Sequence, residues 1–326
     1  MPLRRRLLNL LSDGEFHSGE ALGVSLGVSR MAVWKHLKAL RQMGVDFRVV
    51  RGKGYCLPSS LELLDCDRIL SAATPASAAG IDGIEVFLEV DSTNNWLREQ
   101  ALNGAPSGTV CVAEMQLAGR GRRGRTWVSP FAANLYLSLL WRSATGATAL
   151  GGLGLVTGIA LLRALRSYGI EGAGLKWPND ILAGDAKLAG VLIDVVGESN
   201  GPCIVIVGIG VNVCMSPGEA VTIDQRWTDL HHLSGGNSLS RNVLAARILD
   251  ELIPAIETFD AEGLPPFLEE WRQSDILRGR KVSLTLPNEY ITGTACGIDD
   301  VGALLVDTGK GRRRFLSGDV SVRVAS

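Results

Sequence analysis

Seven consecutive residues, Gly119-Arg120-Gly121-Arg122-Arg123-Gly124-Arg125, narrow the fold of this 326-residue chain most sharply. Three glycines and four arginines cannot be buried in an apolar core, and glycine at this density weakens helix and strand alike. The run contains G-x-G-x-x-G, which in a dinucleotide-binding βαβ unit opens a helix. Here Thr126-Trp127 follow, and then Asn134–Trp141 alternates as a strand does. A nicotinamide-dinucleotide fold is therefore excluded. No G-x-x-x-x-G-K-[ST] occurs either, so any ATP chemistry is not of the P-loop type. What remains is an exposed loop whose backbone can approach a ligand and whose guanidinium groups are planar, permanently charged donors. Four neighbouring cations repel one another, so the loop is expected to order around an anion such as a phosphate-bearing ligand.

Around this loop the patterning changes twice. Arg4–Leu11 and Ser18–Leu26 have helical apolar spacing, and Ser29 caps a third helix running to about Met43, ended by Gly44. Val45–Val50, Arg51-Gly52-Lys53-Gly54 and Tyr55–Leu57 then read as a hairpin with a basic tip, closed by Pro58-Ser59-Ser60. Helix, helix, short turn, helix and hairpin spell a winged helix-turn-helix. After a loop at residues 74–83, strands are predicted at Ile84–Val90, Thr109–Gln116, Asn134–Trp141, Lys187–Val196 and Cys203–Val213. Helices are predicted at Gly152–Tyr168, Asn242–Phe259 and Pro266–Gln273. The absence of regular β-α-β alternation predicts an α+β domain with a mixed or antiparallel sheet. From about Leu277 only short strands remain, which predicts a small five-stranded barrel.

Charge follows the same division. Residues 1–60 carry ten Lys or Arg against four acids, a balance of +6, whereas the whole chain is −1, leaving about −7 elsewhere. A basic module on a mildly acidic body suits local contact with a polyanion. On the third helix Ser29, Arg30, Met31, Trp34 and Lys35 lie where base edges are contacted, and Arg51 and Lys53 sit at the wing tip for phosphate or minor groove. A protein-interaction role for this module is the alternative. The six cysteines form no C-x-x-C pair and read as reduced thiols, with no metal site indicated. Ser143–Leu162 is uncharged but rich in glycine, and reads as a loop and buried helix; Met1–Leu11 is too short for a secretory leader. The chain is expected to be cytoplasmic and not membrane-bound.

Four further strings accompany the basic loop: Asp91-Ser92-Thr93-Asn94, Lys176-Trp177-Pro178-Asn179-Asp180, Lys187-Leu188-Ala189-Gly190 and Gly208-Ile209-Gly210-Val211-Asn212. Each has a plain structural reading, as helix cap, turn or strand end. Together, in this order and spacing, they resemble the biotin–protein ligases, and the N-terminal stretch resembles the bifunctional bacterial form that is also the biotin operon repressor. The resemblance covers essentially the whole chain. It implies a winged helix-turn-helix over residues 1–65, a mixed-sheet, class II-synthetase-like ligase domain over 66–275, and an SH3-like β-barrel over 276–326.

The resemblance also implies roles. Ser92, Thr93, Asn94 and Gln116 would hold the ureido ring of biotin, with Arg120, Gly121, Arg122 and Lys187 completing its site. Arg122, Arg125, Lys176, Asn179, Asn212 and Trp227 would serve ATP or the adenylate, and Lys187, Arg122 and Lys176 would be catalytic. The reaction needs ATP, Mg²⁺ and biotin, passes through biotinyl-5′-AMP, and delivers biotin to a lysine of a biotin carboxyl carrier protein. The adenylate would act as corepressor on a homodimer bound to operator DNA, with Val191–Val196 as the dimer edge. The wing string RVVRGKGY and the basic stretch Lys310–Arg314 depart from the family pattern. Two alternatives share these features: a lipoate–protein ligase, and a ligand-sensing transcription factor without ligase activity.

Overall fold

A computed structural model describes residues 3–58, 61–197, 201–237, 239–286, 289–316 and 321–324. The N-terminal unit holds helices α1 (Leu3–Leu11), α2 (Gly19–Leu26) and α3 (Arg30–Gln42), then strands β1 (Arg48–Val50) and β2 (Gly54–Cys56). Ser18 and Ser29 cap α2 and α3, each hydroxyl oxygen accepting the amide proton of the residue three ahead. Leu7, Leu8, Leu11, Leu22, Val33, Leu37 and Leu40 form the unit's core, against which Leu88, Met115 and Phe131 of the central domain also pack. At the wing, His17 exchanges both backbone hydrogen bonds with Tyr55, each 2.9 Å. Gly54 (φ +106°) lies against this contact, and a Cβ there would meet the His17 backbone. Only glycine lets the wing close on the turn before α2.

Two short helices follow, α4 (Cys66–Ala72) and α5 (Pro75–Ala79). The expectation of a plain loop over 74–83 is corrected here. Thr74 caps α5 and Pro75 stands in its first turn, where its missing N–H costs nothing.

The central sheet is built from β3 (Gly83–Phe87), β4 (Thr109–Ala113), β5 (Asn134–Ser143), β6 (Ala173–Lys176), β7 (Asp180–Ala183), β8 (Ala186–Gly197) and β9 (Cys203–Asn212). Helix α6 (Thr93–Leu102) joins β3 to β4, and α7 (Leu153–Ser167) precedes β6. The strand order is β3-β4-β5-β9-β8-β7-β6. Only β3 and β4 are parallel; the other pairs are antiparallel, giving the mixed sheet expected. After α8 (Leu230–Leu233), the long α9 (Arg241–Glu262) and α10 (Leu268–Ser274) complete the domain.

Side-chain alternation sends the two sheet faces to different work. Leu135, Leu137, Leu139, Val205, Val207 and Val211 bury themselves with α7 and α9 in the main core. The opposite face packs α6 through Leu97, Ala101, Cys111, Leu140 and Ile206. The apolar stretch Leu150–Ser167 is long enough by length and composition to cross a membrane, but 72% of it is buried inside the protein, as a core helix is.

The C-terminal strands β10 (Lys281–Thr285), β11 (Tyr290–Ile298), β12 (Leu304–Asp307), β13 (Arg312–Phe315) and β14 (Ser321–Val324) form an antiparallel sheet ordered β13-β12-β11-β10-β14. The five strands of the expected barrel are present, and β13 and β14 are its open edges among the described residues. Its apolar residues Val282, Leu284, Leu304 and Val306 belong to the same core as the central domain. Trp177 fastens the two, its Nε1–H donating to the Gly302 carbonyl at 3.0 Å.

Beside the apolar contacts of Leu88, Met115 and Phe131, the join to the N-terminal unit is polar and buried. Glu114, at the end of β4, accepts from the Leu64 amide (2.6 Å) and pairs with Arg241 Nη1 (2.7 Å). Glu62 accepts the Arg241 amide proton at 2.7 Å, and Asn242 bonds both Asp65 N–H and the Leu63 carbonyl. Arg5 of α1 reaches the Leu64 carbonyl from the other side.

Candidate active site

One cavity at the sheet's cavity-facing side gathers the strings that the sequence set apart. Ser92, Thr93, Asn94, Gln116, Arg120, Gly121, Arg122, Arg125, Lys176, Asn179 and Lys187 all line it.

The floor is glycine. Gly190 of β8 and Gly210 of β9 are register partners, and Gly208 lies two residues along β9 on the same face. A Cβ at Gly210 would stand 2.6 Å from the Trp127 ring, and one at Gly208 would collide with the Asn94 carboxamide. The glycines of KLAG and GIGVN thus hold the cavity open and let α6 and Trp127 approach the sheet.

The cationic end is organised by a hairpin. Lys176 and Asp180 are register partners of β6 and β7, joined by Trp177-Pro178-Asn179 with a cis Trp177–Pro178 peptide. Asp180 lies 3.6 Å from Lys176 Nζ and 2.6 Å from Lys187 Nζ, and all three side chains are largely buried. Burial lowers the Lys176 pKa, opposed by Asp180 and reinforced by Lys187 and Arg125. Lys187 Nζ also sits 5.2 Å from the Trp127 ring centre. Two cations held by one carboxylate leave a net positive site ready for a further anion.

The basic loop is shaped as a tight hairpin rather than a slack string. Gly121 N–H donates to the Arg125 carbonyl (2.7 Å) and Trp127 N–H to Gly119 (2.8 Å), while Arg123 adopts φ +58°. The repulsion expected among its arginines is offset by partners on both flanks. Arg120 reaches Asn95 and lies 3.6 Å from Asp194, and Arg122 Nη1 donates to Asn179 Oδ1 at 3.2 Å. The loop therefore bridges α6 on one side and the Lys176–Asp180 hairpin on the other.

The polar end is the start of α6. Gln116 Oε1 accepts the Thr93 amide proton at 2.9 Å, and Gln116 Nε2 donates to Ser129 Oγ at 3.3 Å. Ser92 is the helix N-cap residue, and its side chain makes no capping bond, leaving its hydroxyl for the cavity.

Two predicted residues stand apart. Asn212 is buried and donates to the Lys187 and Thr228 carbonyls, so it holds the 226–228 segment along β8 instead of lining the cavity. Trp227 lies on that segment, bridged through its backbone to Lys187, and is not in the lining. The sequence reading missed Trp127, whose Nε1 is buried at the cavity wall without a hydrogen-bond partner among the described residues. It also missed Asp180 as the carboxylate between the lysines; its place inside KWPND was the available signal.

In the N-terminal unit Arg30, Met31, Trp34 and Lys35 are exposed on one face of α3, and Arg51 and Lys53 are exposed at the wing. Lys38 caps the Trp34 ring at 5.5 Å. Ser29 is exposed too, with its hydroxyl oxygen engaged as the α3 cap.

Fold and site together define a biotin/lipoate-type protein ligase carrying a DNA-reading module. Residues 86–212 match the Biotin/lipoate A/B protein ligase family, 278–323 the Biotin protein ligase C terminal domain, and 3–56 an HTH domain. The bifunctional ligase/repressor BirA of Salmonella typhimurium is 44% identical over 98% of this chain and 97% of that protein, and its Escherichia coli namesake 42% over the same shares. A structure of biotin protein ligase from Aquifex aeolicus in complex with biotin and ATP superposes with a TM-score of 0.65 at 30% identity, covering 75% of this chain and 100% of that one. The chain belongs to the bifunctional biotin ligase/repressor family.

Proposed function

We propose that the cavity joins biotin to ATP and that the chain passes the activated acyl group to a lysine of a biotin carboxyl carrier protein. The observation that carries this reading is the meeting, in one glycine-floored cavity, of a polar wall at Ser92, Thr93, Asn94 and Gln116 with the cations Lys176, Lys187, Arg122 and Arg125. The wall suits a ureido ring, with Arg120 and Gly121 at its rim. The cations suit a carboxylate and a triphosphate.

Both reactants are anions, so their approach needs positive charge more than a base. The biotin carboxylate attacks the α-phosphorus of ATP, pyrophosphate leaves, and biotinyl-5′-AMP forms. Lys187 exchanges its partner Asp180 for the reacting carboxylate, while Lys176 and Arg125 face the phosphates. The carrier's lysine amine then attacks the acyl carbon and AMP leaves. Among the described residues, Asp180 is the one carboxylate in the cavity lining, and it is already engaged by two lysines. Asp180 would be the protein carboxylate available to a Mg²⁺ ion that enters with the triphosphate. When bound, the ion neutralises phosphate charge. Asn179 fixes the phosphate-side turn, and Asn212 acts through the 226–228 segment, bringing Trp227 toward the adenine.

Arg122 is the latch between loop and hairpin. Arg122→Gly is expected to let the mixed anhydride escape before transfer, read as free adenylate and as labelling of bystander lysines in a mixture of carrier and albumin. Strict carrier specificity in that variant would count against the latch.

The second output is repression in the cytoplasm. Ser29, Arg30, Met31, Trp34 and Lys35 would meet operator bases and phosphates, with Arg51 and Lys53 at the wing. Beyond Val191, whose amide donates to Asn179, β8 has only β9 as a strand neighbour among the described residues. This edge, Val191–Val196, is the proposed homodimer seam, closed when biotinyl-5′-AMP is bound as corepressor. The pair Lys35→Ala and Lys53→Ala should weaken operator binding and reduce the log–log salt slope by about two units, about one per phosphate contact. An unchanged slope would remove these residues from the interface.

A further inference from the structure

We infer that Ser138, which lies behind the cavity wall, is a positioning residue that fixes the direction of the hydrogen bonds the wall offers to the substrate ring. The inference rests on the proposed biotin reading and concerns a residue outside the cavity lining.

Ser138 is fully buried on β5, with Cys111 and Gly208 as its register partners. Its hydroxyl stands 2.6 Å from Asn94 Oδ1 and 2.7 Å from Thr93 Oγ1. One hydroxyl proton cannot serve both, and the surroundings decide which it serves. The other end of the Asn94 carboxamide is 3.0 Å from Asp194 Oδ2. A carboxylate only accepts, so that end is the NH₂ and the end facing Ser138 is the carbonyl. Asn94 is 3% exposed, and the absence of a Cβ at Gly208 is what gives its carbonyl room. The Ser138 proton is therefore committed to Asn94.

Ser138 thus meets Thr93 with a lone pair. The single Thr93 proton turns inward, toward Ser138 Oγ and toward Gln116 Oε1 at 3.2 Å. Gln116 Oε1 is already fixed by the Thr93 amide, which directs Gln116 Nε2 toward Ser129 and the cavity. The wall then presents a pure acceptor at Thr93 beside an N–H donor at Gln116. A substrate with an N–H next to a carbonyl, as in a cyclic urea, matches that order. Without the Ser138 hydroxyl, only the longer contact to Gln116 Oε1, at 3.2 Å, still draws the Thr93 proton inward, and the acceptor that Thr93 offers the cavity is no longer fixed.

The test is steady-state adenylation by the full chain carrying Ser138→Ala, with biotin and with desthiobiotin, which keeps the urea ring. We expect KM for both acids to rise about tenfold, the weight of one hydrogen bond, while KM for ATP and kcat stay within about twofold. Ser138→Cys, which keeps a weaker donor, should fall between. In a Thr93→Val background Ser138→Ala should raise KM for biotin by less than about threefold, because the rotor it controls is gone. An unchanged KM for biotin in Ser138→Ala overturns the inference. So does an equal change in KM for biotin and ATP, which a loosened fold alone would give. If the parent chain itself makes no biotin-dependent AMP, the functional reading fails instead.

Discussion

Lys187→Ala is expected to slow biotin-dependent ATP–pyrophosphate exchange by about 10²–10³-fold, the usual cost of removing one charge-stabilising donor from a closed site. The physical reason is local. Lys187 Nζ is held within 2.6 Å of Asp180 and over the Trp127 ring, so it is largely desolvated and preplaced before substrate arrives. In the variant Asp180 keeps Lys176, 3.6 Å away, and the cavity loses the charge proposed to meet the reacting carboxylate. Lys187→Arg should recover little, because a planar fork cannot occupy the space of a point charge above Gly190. Adenylation within about tenfold of the parent would remove Lys187 from the chemistry.

The second large effect is on stability. Glu114 is fully buried, and Arg241, 2.7 Å from it, is 5% exposed. Glu114→Gln leaves that guanidinium without a counter-charge in a dry interior, which costs about 3–5 kcal/mol. For a chain of this size the melting temperature should fall by roughly 10 °C. The same carboxylate accepts the Leu64 amide, and Gln116 follows two residues later. The damage should therefore reach both the join to the winged helix and the polar wall at Thr93 and Gln116. A melting temperature within about 2 °C of the parent would show the pair to be dispensable.

Much of this molecule was legible from its residues because its signals are local. Serine caps, glycine stops and apolar spacing place α1 to α3 within about a residue, whereas the first wing strand starts at Arg48, not at the expected Val45. Alternation finds β5, β8, β9 and the C-terminal strands. The cavity residues were found as strings because each string closes a turn or ends a strand beside the cavity. What escaped was set by distance in sequence. Glu114 reads as the polar end of a strand until Arg241, 127 residues away, is brought to it by α9. Ser138 alternates like any strand residue, and only its register opposite Gly208 places it under Asn94. The strands β6 and β7 have four residues each, too short for periodicity to register, so KWPND read as a turn and its Lys–Asp pairing was hidden. The small helix α5 was lost to a composition of alanine, serine and proline that suggests a loop. The C-terminal strands look like a separate unit in sequence, yet their apolar side chains join the central core.

The most direct measurement is acyl transfer. The full chain is incubated with ATP, Mg²⁺ and an apo biotin carboxyl carrier domain, with either biotin or lipoate, and the carrier is followed by intact mass and peptide mapping. The account predicts a single biotin on one carrier lysine, with AMP and pyrophosphate released in equal amounts and lipoate left unused. Transfer of lipoate in place of biotin, or of neither acid, would contradict it.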